Sequence, residues 1–423
     1  MYYGYNISEQ TAKMAEIAEA DCKEVFKRID DNAMYISGKV LSAFQELRVS
    51  TADFIDITGY GYYDSGRDKL EALYAKVFGA EDALVRPQLM SGTHALAVTL
   101  GGLLKPGETL LYISGEPYDT LRSVIGTSGD SRNSLIKYGV KYEQIDLIGD
   151  DFDISAIKER VAKGDVKVAA IQRSRGYSRR RSLLISKIEE AIRAVKEACP
   201  DTIVMVDNCY GEFTEDREPT DVGADVFVGS MMKNLGAGYA TSGAYCVGRA
   251  DVIADIAERF SAPCIGKDLG ANFNQLAPYY KGFFVAPATV ASTLKAMAFA
   301  ARMFELAGFF GISPRYDEIR TDIVQTADFE TEEMLIKFCT GIQKGSPIEA
   351  YATPYPSEMP GYPHPEISAA GTFVTGATNE LSCDGPLTPP YTAFMQGALT
   401  YEYGKLGIMR AIDEMFDRHP EEV

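Results

Sequence analysis

Between Ser8 and about Leu47, apolar residues such as Met14, Ile17, Val25 and Ile29 recur at three- and four-residue steps, with acidic residues early, and predict a long helix. A Gly/Tyr-rich loop from Thr58 to Gly66 follows, and an amphipathic helix begins at Arg67 with Leu70, Leu73, Tyr74 and Val77 on one face. The pattern then changes to short apolar runs: Ala83–Arg86, Thr109–Ile113, Lys141–Ile145, Val166–Ile171, Ile203–Val206, Val226–Val228 and Gly243–Val247. Bounded by Gly, Pro or charges and separated by helix-sized segments, they predict a mostly parallel sheet with helices on both faces. After Pro287 the spacing predicts a helix from Val290 to about Ala307. Strand-like Asp322–Thr326 and Gly371–Thr375, with helical Glu330–Gln343 and Tyr391–Met415, then predict a smaller α+β domain, and the Pro-rich stretch from Thr353 to Pro365 reads as a loop.

The pattern divides the chain into a helical arm at 1–49, a three-layer α/β domain at 50–290 and a small C-terminal domain at 291–423. A length of 423 residues exceeds what one core usually holds and suffices for a deep pocket. A formal charge of −18 argues against a nucleic-acid partner, whose phosphates demand clustered cations. The run from Arg173 to Arg181 is the one basic exception and reads either as a solvated turn or as an anion site. Seven cysteines without a C-x-x-C pair, and no apolar segment before Tyr5, indicate free thiols in a reducing, cytoplasmic compartment. No stretch reaches the roughly 18 uninterrupted apolar residues of a membrane span, so no membrane partner is expected. Three dispersed histidines, His94, His364 and His419, make a metal site unexpected.

Two strand ends carry the candidate chemistry. Val206-Asp207-Asn208-Cys209-Tyr210 sets a carboxylate at the C-terminal end of a buried strand, where open α/β sheets place their ligands. Gly229-Ser230-Met231-Met232-Lys233 sets an amine just past another. Singly, the aspartate reads as a helix cap and the lysine as a solvated turn residue; together they are what a pyridoxal phosphate site requires. Lys233 would bond the aldehyde as a Schiff base, in a desolvated, cation-flanked setting that lowers its pKa, and Asp207 would keep the pyridine nitrogen protonated. Ser91, Gly92 and Thr93 open an apolar helix and read as a phosphate cup or a plain N-cap. Ser230 is a further phosphate candidate, and Tyr118 reads as a lid on the cofactor ring or as surface packing. Phosphate-loop, Rossmann and G-x-S-x-G patterns are absent from the sequence.

Across nearly its whole length the chain resembles the methionine gamma-lyase-like, or aluminium-resistance, proteins, relatives of the cystathionine lyases. The stretches that carry the likeness are Tyr60-Gly61-Tyr62-Tyr63-Asp64-Ser65-Gly66-Arg67, Arg86-Pro87-Gln88, Ser91-Gly92-Thr93-His94, Gln172-Arg173-Ser174-Arg175-Gly176-Tyr177, Val206-Asp207-Asn208-Cys209-Tyr210-Gly211-Glu212 and Ala369-Ala370-Gly371-Thr372-Phe373. The resemblance implies the aspartate-aminotransferase-like fold type I and a homodimer or homotetramer with sites at the dimer interface. There Tyr60 or Tyr62, together with Arg67, would reach a neighbouring subunit's phosphate. It also implies an arginine for the substrate carboxylate. Thr388 stands where the family pattern commonly has a basic residue, which leaves Arg175, Arg173 and Arg320 as candidates. The implied activity is carbon–sulfur bond cleavage, by β- or γ-elimination, in an amino acid such as cystathionine or methionine. An aminotransferase or aldolase on the same fold, or a non-catalytic metal-tolerance protein, is the alternative.

Overall fold

The computed structural model describes residues 5–60, 63–358 and 364–418. The chain forms two compact units, one from Tyr35 to Ala286 and one combining the chain before it with the segment from Pro287 onward. The expected arm is a single helix, α1 (Glu9–Glu46), whose two ends belong to different units.

In the first unit, α2 (Ser65–Val77) leads to β1 (Asp82–Arg86), α3 (Gly92–Leu103), β2 (Thr109–Tyr112), α4 (Asp119–Ile125) and β3 (Lys141–Gln144). Then come α5 (Ile154–Val161), β4 (Val166–Gln172), α6 (Ile185–Ala198), β5 (Ile203–Asp207), β6 (Val226–Ser230), β7 (Ala244–Gly248) and α7 (Ala250–Phe260). The sheet order is β1-β7-β6-β5-β4-β2-β3, with β7 antiparallel to both neighbours and the other pairings parallel. Every residue of β5 and β6 is buried, which explains their unbroken apolar runs: a central parallel strand faces helices on both sides. Leu96, Leu110, Ile125, Val168, Met205 and Ile253 form one such packed face, each worth about 1.5–3 kcal/mol when fully buried.

The chain enters the second unit along α8 (Leu276–Ala307). This helix is long and apolar enough to cross a membrane, but most of its apolar stretch is buried within the protein, as Met297, Phe299 and Met303 illustrate. There follow β8 (Phe310–Ser313), β9 (Gln325–Asp328), α9 (Glu332–Lys344), β10 (Glu366–Ala369), β11 (Ser382–Pro386), β12 (Thr392–Gln396) and α10 (Tyr401–Met415). The sheet is antiparallel in the order β10-β11-β12-β9-β8, and Leu335, Phe338, Ile367, Met395 and Ile408 share its core.

Two sequence expectations fail here. Residues 371–375 are not a strand, because the Glu380 carboxylate accepts from the Phe373 and Val374 amides at 2.7 and 3.0 Å, diverting their N–H groups from a ladder. The expected helix over 391–415 is a strand followed by a helix, and Gly397, at φ 78°, turns the chain between them where any Cβ would collide with the Glu380 carbonyl.

Candidate active site

β1, β2, β4, β5 and β6 all end on one edge of the large sheet, since Arg86 and Ser230 both pair with Ala244, where antiparallel β7 begins. The residues following these ends are the ones the sequence singles out. Ser91 caps α3, its hydroxyl accepting from the His94 amide at 3.1 Å. The helix's first amides, from Gly92 and Thr93, therefore belong to a twelve-residue helix start that lacks intrahelical acceptors. A Cβ on Gly92 would lie 3.3 Å from Cys209 Sγ and 3.5 Å from Ser230 Cβ, so α3, β5 and β6 converge on the space this glycine leaves open. The Ser230 hydroxyl accepts from the Met232 amide at 3.1 Å. Thr93 turns its hydroxyl to Tyr118 Oη, 2.7 Å away, and Gln172 Oε1 accepts from the Tyr118 amide at 2.8 Å, so α3 and the end of β4 hold this residue.

Asp207 is buried, and its Oδ1 accepts from the Cys209 amide at 3.1 Å. Burial raises its pKa, against the pull of the Cys209 amide and thiol, Lys233 and Arg180. Lys233 is partly exposed, with Nζ 3.7 Å from the centroid of the Tyr210 ring. The expected cation-flanked lysine is not what the fold provides. Burial opposes the ammonium, but Tyr210, Cys209 and Asp207 together outweigh it and hold the Lys233 pKa above its ordinary value.

The candidate arginines differ in their surroundings. Arg173 is buried in an ion-pair network, its guanidinium 2.8 Å from both Asn208 Oδ1 and Glu215 Oε1 and 3.6 Å from Glu218 Oε2. Arg320, in the other unit, donates to the Met297 carbonyl at 3.1 Å and to Gln325 Oε1 at 2.6 Å. Arg175 lines a cavity of about 300 Å³ with Tyr118, Gln172, Tyr177, Glu116 and Arg180. Arg67, the candidate for a neighbouring subunit's phosphate, has a side chain only 3% exposed in its own subunit, with Nε 3.1 Å from Asp68 Oδ1. Tyr60, 83% exposed, and Tyr63, 90% exposed, do project outward, whereas Tyr62 lies outside the described residues. Among the described residues no cluster of His, Cys, Asp and Glu is arranged to hold a metal ion.

The sequence reading missed Gln172 as the clamp on Tyr118, and it missed Tyr210 and Glu212 altogether. All three lie inside stretches already singled out. Glu212 is buried, its Oε1 accepts from the Tyr245 hydroxyl, and burial pushes its pKa up to about 8.

A large α/β unit with its site at the strand ends, followed by a smaller α+β unit, is the fold type I architecture of pyridoxal-phosphate-dependent enzymes. The pyridoxal-5'-phosphate-dependent protein YhfS of Escherichia coli matches it with a TM-score of 0.62 over 92% of this chain and 97% of its own, at 17% identity, a likeness of fold alone. The chain belongs to the methionine gamma-lyase family, whose profile matches residues 11–416. It is 46% identical to the uncharacterized protein YnbB of Bacillus subtilis over 412 residues, 97% of each chain. It is 43% identical, with a TM-score of 0.92 over 96% of each chain, to a carbon-sulfur lyase involved in aluminum resistance from Clostridium novyi.

Proposed function

We propose that the chain is a pyridoxal-phosphate-dependent carbon–sulfur lyase that eliminates a thiol from Cβ or Cγ of an amino acid of the cystathionine or methionine kind. The observation that carries this reading is the meeting, at one sheet edge, of Lys233, Asp207 and the open cradle at Gly92. The residues present suit the cofactor: an amine for its aldehyde, a buried carboxylate for its ring nitrogen, and a helix N-terminus with Ser91, Thr93 and Ser230 for its phosphate. When bound, that cofactor accepts electrons from the substrate carbanion.

Tyr118, fixed by Thr93 and Gln172, supplies an aromatic wall. Arg175 is the preferred holder of the substrate carboxylate, because it lines the cavity beside Tyr118 while Arg173 is engaged with Glu215 and Glu218. Lys233 Nζ receives the substrate's α-proton. The products are a thiol, a keto acid and ammonia. The protein works in the cytoplasm as a homodimer or homotetramer. Exposed Ile55, Ile57, Tyr60 and Phe273, from loops joined by the Gly270 amide and the Gly59 carbonyl, support a face covered by a second copy.

An absorption spectrum of wild type and of Lys233→Ala, each mixed with pyridoxal phosphate, tests the anchor: a visible band present only in wild type is expected. Loaded protein that releases neither thiol nor keto acid from cystathionine, methionine or cysteine would sink the lyase assignment.

A further inference from the structure

Tyr210 adopts φ 72°, a left-handed conformation that is costly for a bulky residue and that turns normally give to glycine or asparagine. The fold holds it there from both sides. The Asn234 side-chain amide, one residue beyond Lys233, donates to the Tyr210 and Glu212 carbonyls at 3.0 and 2.9 Å. A Cβ on the following Gly211 would lie 2.6 Å from Arg173 Cδ and 2.8 Å from Asn208 Oδ1, so only glycine lets the loop pass. The outcome of this constraint is that the Tyr210 ring lies under the Lys233 amine, 3.7 Å from Nζ to the ring centroid.

We propose that Tyr210 is a positioning residue that receives the Lys233 ε-ammonium on its ring face whenever the amine is not bonded to the cofactor, keeping the nitrogen at the site. The inference rests on Lys233 being the cofactor's anchor. A desolvated ammonium over an aromatic face is stabilised by the ring's negative quadrupole, and the interaction strengthens as water is excluded. The other charged or titratable groups acting on Lys233 are Asp207, at the end of β5, and Cys209 and Glu212 from the loop after it. Asp207 and Cys209 favour the ammonium in the same direction as Tyr210. Tyr210 is the one whose ring sits directly beneath the nitrogen. An ammonium so held must lose its proton before it can attack an aldehyde, so the contact slows that step.

The test uses cofactor-free, full-length protein containing isotopically labelled lysine, with the Lys233 signal identified by its loss in Lys233→Ala. In wild type the Cε protons of Lys233 are expected upfield of the other lysines, shifted by the ring beneath them, and to titrate at higher pH. Tyr210→Leu is expected to abolish the upfield shift and lower the titration by at least about one pH unit, a tenfold rise in neutral amine. Tyr210→Phe keeps the face and the shift. A wild-type Lys233 signal among the ordinary lysines, or an unchanged titration in Tyr210→Leu, overturns the proposal. The wild-type and Tyr210→Phe spectra decide it if the leucine variant does not fold. Adding pyridoxal phosphate and reading the visible band tests the anchor separately, so the two ideas fail by different measurements.

Discussion

Replacing Glu212 by glutamine is expected to flatten the pH dependence of stability between about pH 5 and pH 8. The Glu212 carboxyl is fully buried, Oε1 accepts from Tyr245, and Oε2 has no hydrogen-bond partner among the described residues. Gly229 makes room for the pair, since a Cβ there would overlap the Tyr245 hydroxyl. Burial is the largest influence and raises the pKa from 4.5 to about 8, with Glu218 adding to it while Tyr245 and Lys233 oppose it. In the folded protein the group is therefore protonated at neutral pH, whereas in the unfolded chain it is ionised above its ordinary value. Folding binds a proton throughout that window. The stability this contributes is complete at pH values below about 4.5 and declines as pH rises toward 8, by up to about 1.4 kcal/mol per pH unit and at most on the order of 5 kcal/mol in total. Glutamine is neutral at every pH and keeps the shape. Denaturant unfolding of cofactor-free wild type and Glu212→Gln at a series of pH values should show curves that diverge as pH rises, the variant holding its stability while wild type loses it. Parallel curves would refute the reasoning. Glu218, raised to about 7 by burial against the pull of Arg173, adds a slope of the same sign that both proteins keep.

Arg173→Met leaves Glu215 and Glu218 without their cation and should cost about 3–5 kcal/mol of stability, read from thermal or denaturant unfolding; a variant as stable as wild type with a raised KM would return Arg173 to the substrate. Arg175→Met should raise KM about tenfold or more, the worth of one charged hydrogen bond. Gly92→Val fills the space bounded by Cys209 and Ser230 and should weaken pyridoxal phosphate binding by about tenfold or more in a spectroscopic titration. Unaltered affinity in that variant would move the phosphate site elsewhere.

The parallel sheet was legible because its central strands are buried on both faces, and a run such as Ile203–Val206 can hardly be read otherwise. Short strands of the second unit were not. β11, Ser-Cys-Asp-Gly-Pro, carries no alternation to read, and Phe394 and Met395 in β12 fell into a helical spacing that Gly397 interrupts. The burial of Arg67 was not legible for a different reason: it depends on how α2 is turned against its own subunit.

The division within the candidate site follows the same physics. Asp207 and Lys233 could be paired from sequence because each follows a buried strand, and adjacent parallel strands bring their C-terminal ends together, as the register of Asp207 with Val228 does. What Lys233 meets there depends on a turn. Its sequence, Asn208-Cys209-Tyr210-Gly211, gives no sign that the tyrosine rather than the glycine takes the left-handed conformation; only Tyr210 has a positive φ in that run. That choice turns an aromatic face toward the amine and, with Asp207 and Cys209, reverses the sign of the expected pKa shift. Residue types at strand ends therefore announced which groups meet, whereas the backbone conformation of the turn decided what the lysine faces there.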